Sequence, residues 1–294
     1  MATREVMKRK NNKVFEANRI YFKDARKMEE VPNESITLIV TSPPYWNVKD
    51  YSLDGWQNEK KSEKLEGQIG DISNYKEYLK ELTEVWKECF RVLKPNGKLC
   101  VNVPLMPIMK KNLNTHYMRD IVNINTGIEH EILSKTKFYL LDVYIWNRTN
   151  PTKALMFGSY PYPPNFYAQN TIEFISVYVK DGEPEKKSEE IREKSKLTEK
   201  EWVEYTKQVW NIPVPGKGDI AYGEHPAIMP EEIAKRLIRI YSFVDDIVLD
   251  PFLGSGTTAK VAQGLGRKYM GYEISPAFKD VIDAKLTQQI EIEV

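Results

Sequence analysis

Two rhythms of apolar positions run through the chain. SITLIV (35–40) and KLCVNV (98–103) are mainly apolar runs rich in β-branched residues, and they predict buried strands. Between them, Tyr75, Tyr78, Leu79, Leu82, Val85, Trp86, Phe90 and Leu93 recur at helical spacing, so the chain changes to an amphipathic helix that ends at the turn KPNG (94–97). FYLLDVYIW (138–146) and TIEFISVYV (171–179) predict further strands. A helix opening after Pro230 carries Ile233, Leu237, Ile240 and Tyr241 on one face. The last segment, DDIVLDPFLGSGTTAKVAQGLGRKYMGYEIS, predicts a strand over 247–250, a glycine turn, a helix from about Thr257 and a second strand ending at Glu273. Alternating strands and helices predict an α/β fold built on a mainly parallel sheet.

Two stretches break the pattern. Residues 47–73 are polar and predict a long loop directly after the proline-rich TSPPYW (41–46), where long loops move over ligands. Residues 181–209 are a Glu/Lys-rich, helix-forming insertion, with a solvated excursion as the alternative to a functional role.

Composition narrows the function classes. The 294 residues suffice for one or two domains with a substantial core. Forty-three Lys and Arg against 42 Asp and Glu leave a formal charge of +1, so any face for a polyanion must be local. The basic N-terminus lacks a signal-peptide apolar run and no window approaches a membrane span, which predicts a soluble, cytoplasmic protein with no membrane partner. Cys89 and Cys100 share no ligand spacing and His116, His130 and His225 are scattered, so no metal site is expected.

Gly254, Gly256 and Ala259 form G-x-G-x-x-A between a strand and a helix, with Glu273 closing the next strand, a layout that places a carboxylate on ribose hydroxyls. A tight turn of a doubly wound fold is the plainer alternative. A phosphate-binding P-loop would need a lysine after its last glycine, and Thr257 stands there. Pro251, Phe252 and Leu253 separate the strand from the first glycine, which suits a ligand without a pyrophosphate.

LDPFLGSGTTAKVA together with TSPPYW resembles the amino-group DNA methyltransferases that use S-adenosylmethionine, in the permuted order in which the catalytic motif precedes the cofactor motif. VFEANRIYFKDARKMEEVPNESITLIVTSPPYW, YLKELTEVWKECFRVLKPNGKLCVNV and HPAIMPEEIAKRLIRIYSFVDDIVLDPF extend the resemblance over most of the chain. It implies a Rossmann-like methyltransferase sheet with a small inserted target-recognition region. Residues 1–148 would be the catalytic half, 149–224 the last sheet strand and recognition region, and 225–294 the cofactor-binding half of the same domain.

The resemblance gives the proline corner a chemical role. An enzyme that methylates an exocyclic amino group takes the base out of the stack and presents the nitrogen to the methyl donor. Ser42 and the carbonyl of Pro43 can accept hydrogen bonds from that amino group, Pro43 and Pro44 fix the backbone, Tyr45 can stack on the base and Trp46 can line its pocket. A stiff exit turn with core aromatics is the plainer alternative. A cytosine-C5 mechanism needs a nucleophilic cysteine in a Pro-Cys turn, which neither cysteine occupies.

Around the cofactor the resemblance implies Asp250, Phe252, Gly254, Ser255, Gly256 and Thr257 at the methionine part, Glu273 at the ribose and Asp24 near the adenine, with a helix cap as the alternative for Asp24. His225 and Pro226 match a segment closing over the methionine moiety, or form a plain turn. Glu173 matches an acidic family position, with a purely structural role as the alternative. Target reading would fall to 149–224, including MFGSYPYPPNFYAQN (156–170), with Lys8, Arg9, Lys10, Lys110, Lys111, Arg148 and Lys153 as candidate phosphate contacts, an ordinary solvated charge being the plainer alternative for each. Ser at position 42 is what cytosine-N4 members mostly carry, adenine-N6 members carrying Asp or Asn, so N4 of a flipped cytosine in double-stranded DNA is the expected target and adenine N6 the alternative. A nicotinamide-dependent dehydrogenase would explain the glycine turn and leave TSPPYW without a role. The expected partners are double-stranded DNA and a cognate restriction endonuclease, the chain itself acting as a monomer or homodimer.

Overall fold

The apolar runs pair into a nine-stranded sheet: β1 (Arg19–Tyr21), β2 (Ile36–Thr41), β3 (Leu93–Met109), β4 (Arg119–Asn123), β5 (Phe138–Arg148), β6 (Ile172–Lys180), β7 (Val209–Ile212), β8 (Ile247–Asp250) and β9 (Lys268–Tyr272). They belong to a computed structural model that describes residues 15–46, 67–109, 119–150, 161–164, 168–225 and 227–288. Lys8, Arg9, Lys10, Lys110, Lys111, Lys153 and Pro226, with most of 47–73 and 156–170, lie outside the described residues.

The strand order is β1-β9-β8-β2-β3-β6-β5-β7, with β4 pairing alongside β3. β1, β9, β8, β2 and β3 run parallel, β6 is antiparallel to both β3 and β5, and β7 is parallel to β5. The chain steps from β2 to β3 on one side and from β8 to β9 on the other. The carboxyl ends of β2 and β8 therefore flank the point where the winding reverses, where open α/β sheets hold ligands.

Among the described residues, seven α-helices accompany the sheet: α1 (Tyr75–Val92), α2 (Ile124–Lys135), α3 (Glu189–Lys194), α4 (Glu199–Tyr205), α5 (Glu231–Tyr241), α6 (Thr257–Gly264) and α7 (Lys279–Thr287). Asn74 caps α1 by accepting from the amides of Lys76 and Glu77. The central strands β2 and β8 are buried on both sides, which is why their sequences lack polar alternation, whereas the edge strand β7 alternates buried and exposed positions. Ile39, Leu99, Val101, Leu249 and Met270 pack in one core with α1 and α2, whereas Leu38, Val40, Cys100 and Val248 pack in a second core with α5 and α6. Cys89 and Cys100 are both buried in these cores, and burial pushes both thiols up from their ordinary value.

The predicted turn at 94–97 is an outward loop inside one long strand. Ile36 pairs with Leu93 and Leu38 with Lys98, so the residues between leave the ladder, with Asn96 at φ 61°.

The charged insertion folds as α3 and α4, capped by Ser188 and by a Thr198–Glu201 capping box, and β7 then extends the sheet beside β5. Ser195 Oγ accepts from the amide of Val244, Arg239 donates to Glu201 at 2.8 Å, and Lys187 pairs with Asp246 at 2.6 Å. These contacts fix the insertion at the amino end of β8. The proline corner follows the carboxyl end of the parallel β2, so 181–209, which the sequence grouped with target recognition, sits at the far edge of the sheet from Ser42.

Candidate active site

One cavity opens at the carboxyl ends of β2, β8 and β9, and the two motifs separated by about two hundred residues meet in it. Ser42, Pro43, Pro44 and Tyr45 line it from β2. Asp250, Phe252, Gly254, Ser255 and Thr257 line it from β8 and the turn into α6, and Glu273 from the end of β9. Asp24 and His225 complete the expected set, and Gly67, Gln68 and Ile69 show that the end of the long loop also reaches the cavity. Gly256 is the exception: it lies behind the lining as the N-cap of α6 at φ 88°.

The glycine turn is shaped by close approach as well as by backbone angle. Gly254 has φ 53°, and a Cβ there would stand 2.8 Å from Nε2 of His225. His225 is held in turn by its Nδ1, which accepts from the amide of Ala227, and by the edge of Phe278 at 4.7 Å. At Gly256 a Cβ would meet Ile282 of α7 at 3.4 Å, an ordinary contact, so this glycine is required by its positive φ.

Asp250 ties the two halves of the cavity together. Its Oδ1 accepts from Thr41 Oγ1 at 2.6 Å and from the amide of Phe252 at 3.0 Å, and its Oδ2 from Thr258 Oγ1 at 2.8 Å. Burial raises its pKa to about 6 against these donors. Glu273 is likewise buried: its Oε2 accepts from the amide of Gly254 at 2.9 Å and its Oε1 from that of Ser275 at 2.8 Å. Its pKa is pushed up to about 7, chiefly by burial. Each carboxylate oxygen keeps a further lone pair for a ligand hydroxyl. Asp24 sits at the rim, its carboxylate engaged by the amide of Arg26 at 2.9 Å and by the Arg26 guanidinium.

Behind the proline corner runs a polar chain crossing three strands. Asn102 Nδ2 donates to Ser42 Oγ at 3.2 Å and to Glu173 Oε2 at 2.8 Å, and Glu173 faces Arg148 at 3.7 Å. Arg148 also donates to the carbonyls of Asn170 and Thr171. Pro44 is fixed from the other side, its carbonyl accepting from Tyr78 Oη at 2.9 Å. Tyr45 is only 9% exposed and packs in the α1 core while one part of it lines the cavity. Trp46 packs on Tyr75 with ring centres 5.0 Å apart.

Sequence reasoning missed Asn102, Phe278 and a buried lysine of α7, Lys285, whose Nζ donates to Thr257 Oγ1 at 2.8 Å. An asparagine in the apolar run KLCVNV is a signal that was available, since a polar residue on a doubly buried strand needs partners. Lys285 has no such signal, because helix surfaces carry lysines routinely.

Chemically, the cavity joins helix-start amides and hydroxyls that suit an anionic group, a buried carboxylate that suits vicinal hydroxyls, aromatic walls at Phe252 and Phe278, and a rigid corner of hydrogen-bond acceptors. This donor set fits S-adenosylmethionine beside a base amino group.

The comparisons with known proteins agree. A family model described as DNA methylase, covering the N6 and N4 methyltransferases, matches residues 36–284. The type II methyltransferase M.MjaI of Methanocaldococcus jannaschii is 34% identical over 287 residues, which span 92% of this chain and 91% of that protein. The type II methyltransferase M.MthZI of Methanothermobacter thermautotrophicus is 32% identical over 94% of this chain and 78% of its own length. Among solved structures, a candidate DNA modification methylase of Thermus thermophilus, complexed with S-adenosyl-L-methionine, superposes with a TM-score of 0.70 at 30% identity, covering 91% of this chain and 92% of that one.

Proposed function

The chain belongs to the DNA methylase family of N6 and N4 methyltransferases, and from that premise we propose that it methylates N4 of a flipped cytosine in double-stranded DNA with S-adenosylmethionine as donor. The observation that carries this reading is the meeting of Ser42 and Pro43 with Gly254, Ser255, Thr257 and Glu273 in one cavity. Bound there, the cofactor supplies an activated methyl group.

The chain's own residues do the rest. The amides and hydroxyls at the start of α6 hold the methionine carboxylate, Glu273 accepts from the ribose hydroxyls, and Asp24 and Phe252 border the adenine and methionine ends. His225 closes over the methionine part through its contact with Gly254. Ser42 Oγ and the carbonyl of Pro43 accept hydrogen bonds from the base amino group, drawing its lone pair out of the ring toward the methyl donor. Pro43 and Pro44 present both acceptors without rearrangement, and Tyr45 offers its cavity-lining face to the extruded base. Residues 1–148 thus supply the base site together with Asp24 at the adenine, and 225–294 the rest of the cofactor site, within a single domain.

The serine at position 42 supports cytosine over adenine, in line with the family pattern. Mass spectrometry of nucleosides from DNA treated with the protein and S-adenosylmethionine should show N4-methylcytosine. N6-methyladenine as the sole product would overturn the base assignment and leave the amino-methyltransferase reading standing. Methylation confined to one short sequence would also identify the cutting specificity of the restriction endonuclease that such an enzyme protects against.

A further inference from the structure

Lys285 is the least exposed charged residue among the described residues, at 0%, on the helix packed beneath the glycine turn. Its ammonium faces three groups. Thr257 Oγ1 lies at 2.8 Å, Ser255 Oγ at 3.3 Å, and the carboxylate of Asp219 at 3.2 Å. Burial lowers the lysine's pKa and Asp219 opposes that shift.

Three features set this lysine apart from a structural ion pair. First, an ammonium only donates, so both hydroxyls must turn a lone pair toward it, leaving their own O–H groups free to point elsewhere. Ser255 and Thr257 both line the cavity, and their Oγ atoms are 3.4 Å apart. Second, both belong to the turn that opens α6, where unpaired amides and the helix dipole already favour an anion. Third, its carboxylate partner Asp219 is partly exposed and already accepts from the amide of Ala221, and Glu231, which also acts on it, is paired with Lys260, so the buried cation is incompletely matched. Asp219 in turn accepts from the amide of Ala221, and the Ala221 carbonyl accepts from the amide of His225. Lys285 therefore braces both the α6 turn and the turn that carries His225.

We propose that Lys285 is the positioning cation of the carboxylate subsite: it fixes Ser255 and Thr257 as donors into the cavity and supplies the buried positive charge that the methionine carboxylate of the cofactor neutralises. This rests on the cofactor reading given above. Lys285 touches the hydroxyls and acts through them.

The test is calorimetry on the full chain with two ligands that differ at the amino-acid end: S-adenosylhomocysteine, which carries the carboxylate, and 5′-methylthioadenosine, which lacks it. Lys285→Met should weaken S-adenosylhomocysteine by about ten- to hundredfold, the range for loss of hydrogen bonding to a charged group. The same variant should bind 5′-methylthioadenosine within about twofold of wild type, which also certifies its fold. Lys285→Arg should restore most of the lost affinity. Equal loss for both ligands, or loss for neither, would overturn the proposal and leave Lys285 a packing residue. Should Lys285→Met not fold, Asp219→Asn gives the answer: removing the competing carboxylate should preserve or tighten S-adenosylhomocysteine binding, and selective weakening of that ligand would count against the subsite. A wild-type chain that binds neither ligand would instead remove the cofactor reading, and this inference with it.

Discussion

At the scale of single residues, Glu273 makes the cavity sensitive to pH. Its folded-state pKa, about 7, lies above the ordinary value of 4.5. Between these values the folded chain holds a proton that the unfolded chain has lost, so this group's contribution to stability is full below about pH 4.5 and is lost as pH rises through 7. The contribution is at most about 3 kcal/mol. Asp250, at about 6 against 3.8, acts in the same direction over a lower window. Chemical unfolding of wild type and Glu273→Gln should therefore give a stability difference that shifts against wild type from pH 5 to pH 8, and a constant difference would remove the argument. Gly254 yields a prediction free of titration. Gly254→Ala would drive a methyl group onto the His225 ring, so affinity for S-adenosylhomocysteine should fall by about tenfold or more, whereas Gly256→Ala should chiefly lower the melting temperature, by the roughly 1 kcal/mol cost of a strained φ. Both glycines were legible as a motif. Their different duties were not, because the neighbours that make the difference, His225 and Ile282, are distant in sequence.

At the scale of elements, the long strand β3 aligns the acceptors of the proline corner through its neighbours. Asn102 on β3 is oriented by Glu173 on β6, since turning its amide over would set an oxygen against the carboxylate. The NH2 group is thereby aimed at Ser42 at the end of β2. Glu173→Gln removes that preference. Turnover should drop by about tenfold or more while S-adenosylhomocysteine affinity stays near wild type, because the cofactor turn belongs to β8 and β9. Parallel loss of both would show that the chain of contacts merely stabilises the sheet. The major strands and the helices α1, α5 and α6 could be read from the apolar spacing, since each buries a continuous face. β4 and α2 could not, because α2 mixes Gly127 and polar residues into its apolar positions and needs the completed sheet to order it. The joining of α1 to β3 without a separate loop also escaped the sequence, where the Lys94–Gly97 signal reads as a full stop.

At the scale of the whole molecule, the two edges of the sheet have different partners. The carboxyl edge carries the cavity, and the amino edge carries α3 and α4, whose charges are largely engaged in pairs such as Lys194–Glu190 and Arg239–Glu201. Lys194→Glu with Lys200→Glu should leave DNA affinity and its salt dependence unchanged in mobility-shift titrations, and a reduced salt slope would place DNA on that edge after all. The resemblance grouped the charged insertion with target recognition while its composition left a solvated excursion open, and composition says nothing about which end of a sheet an insertion will cover. The pairing of early strands with late ones reaches furthest. β1 is zipped to β9 and β2 to β8, with Thr41 and Asp250 bonded across 209 positions. During synthesis the proline corner is made early, and β2 keeps one bare edge until β8, about two hundred positions later, has emerged to pair with it. A chain halted before β8 exposes unpaired backbone and holds only one wall of the cavity, so a partial chain carries no partial site.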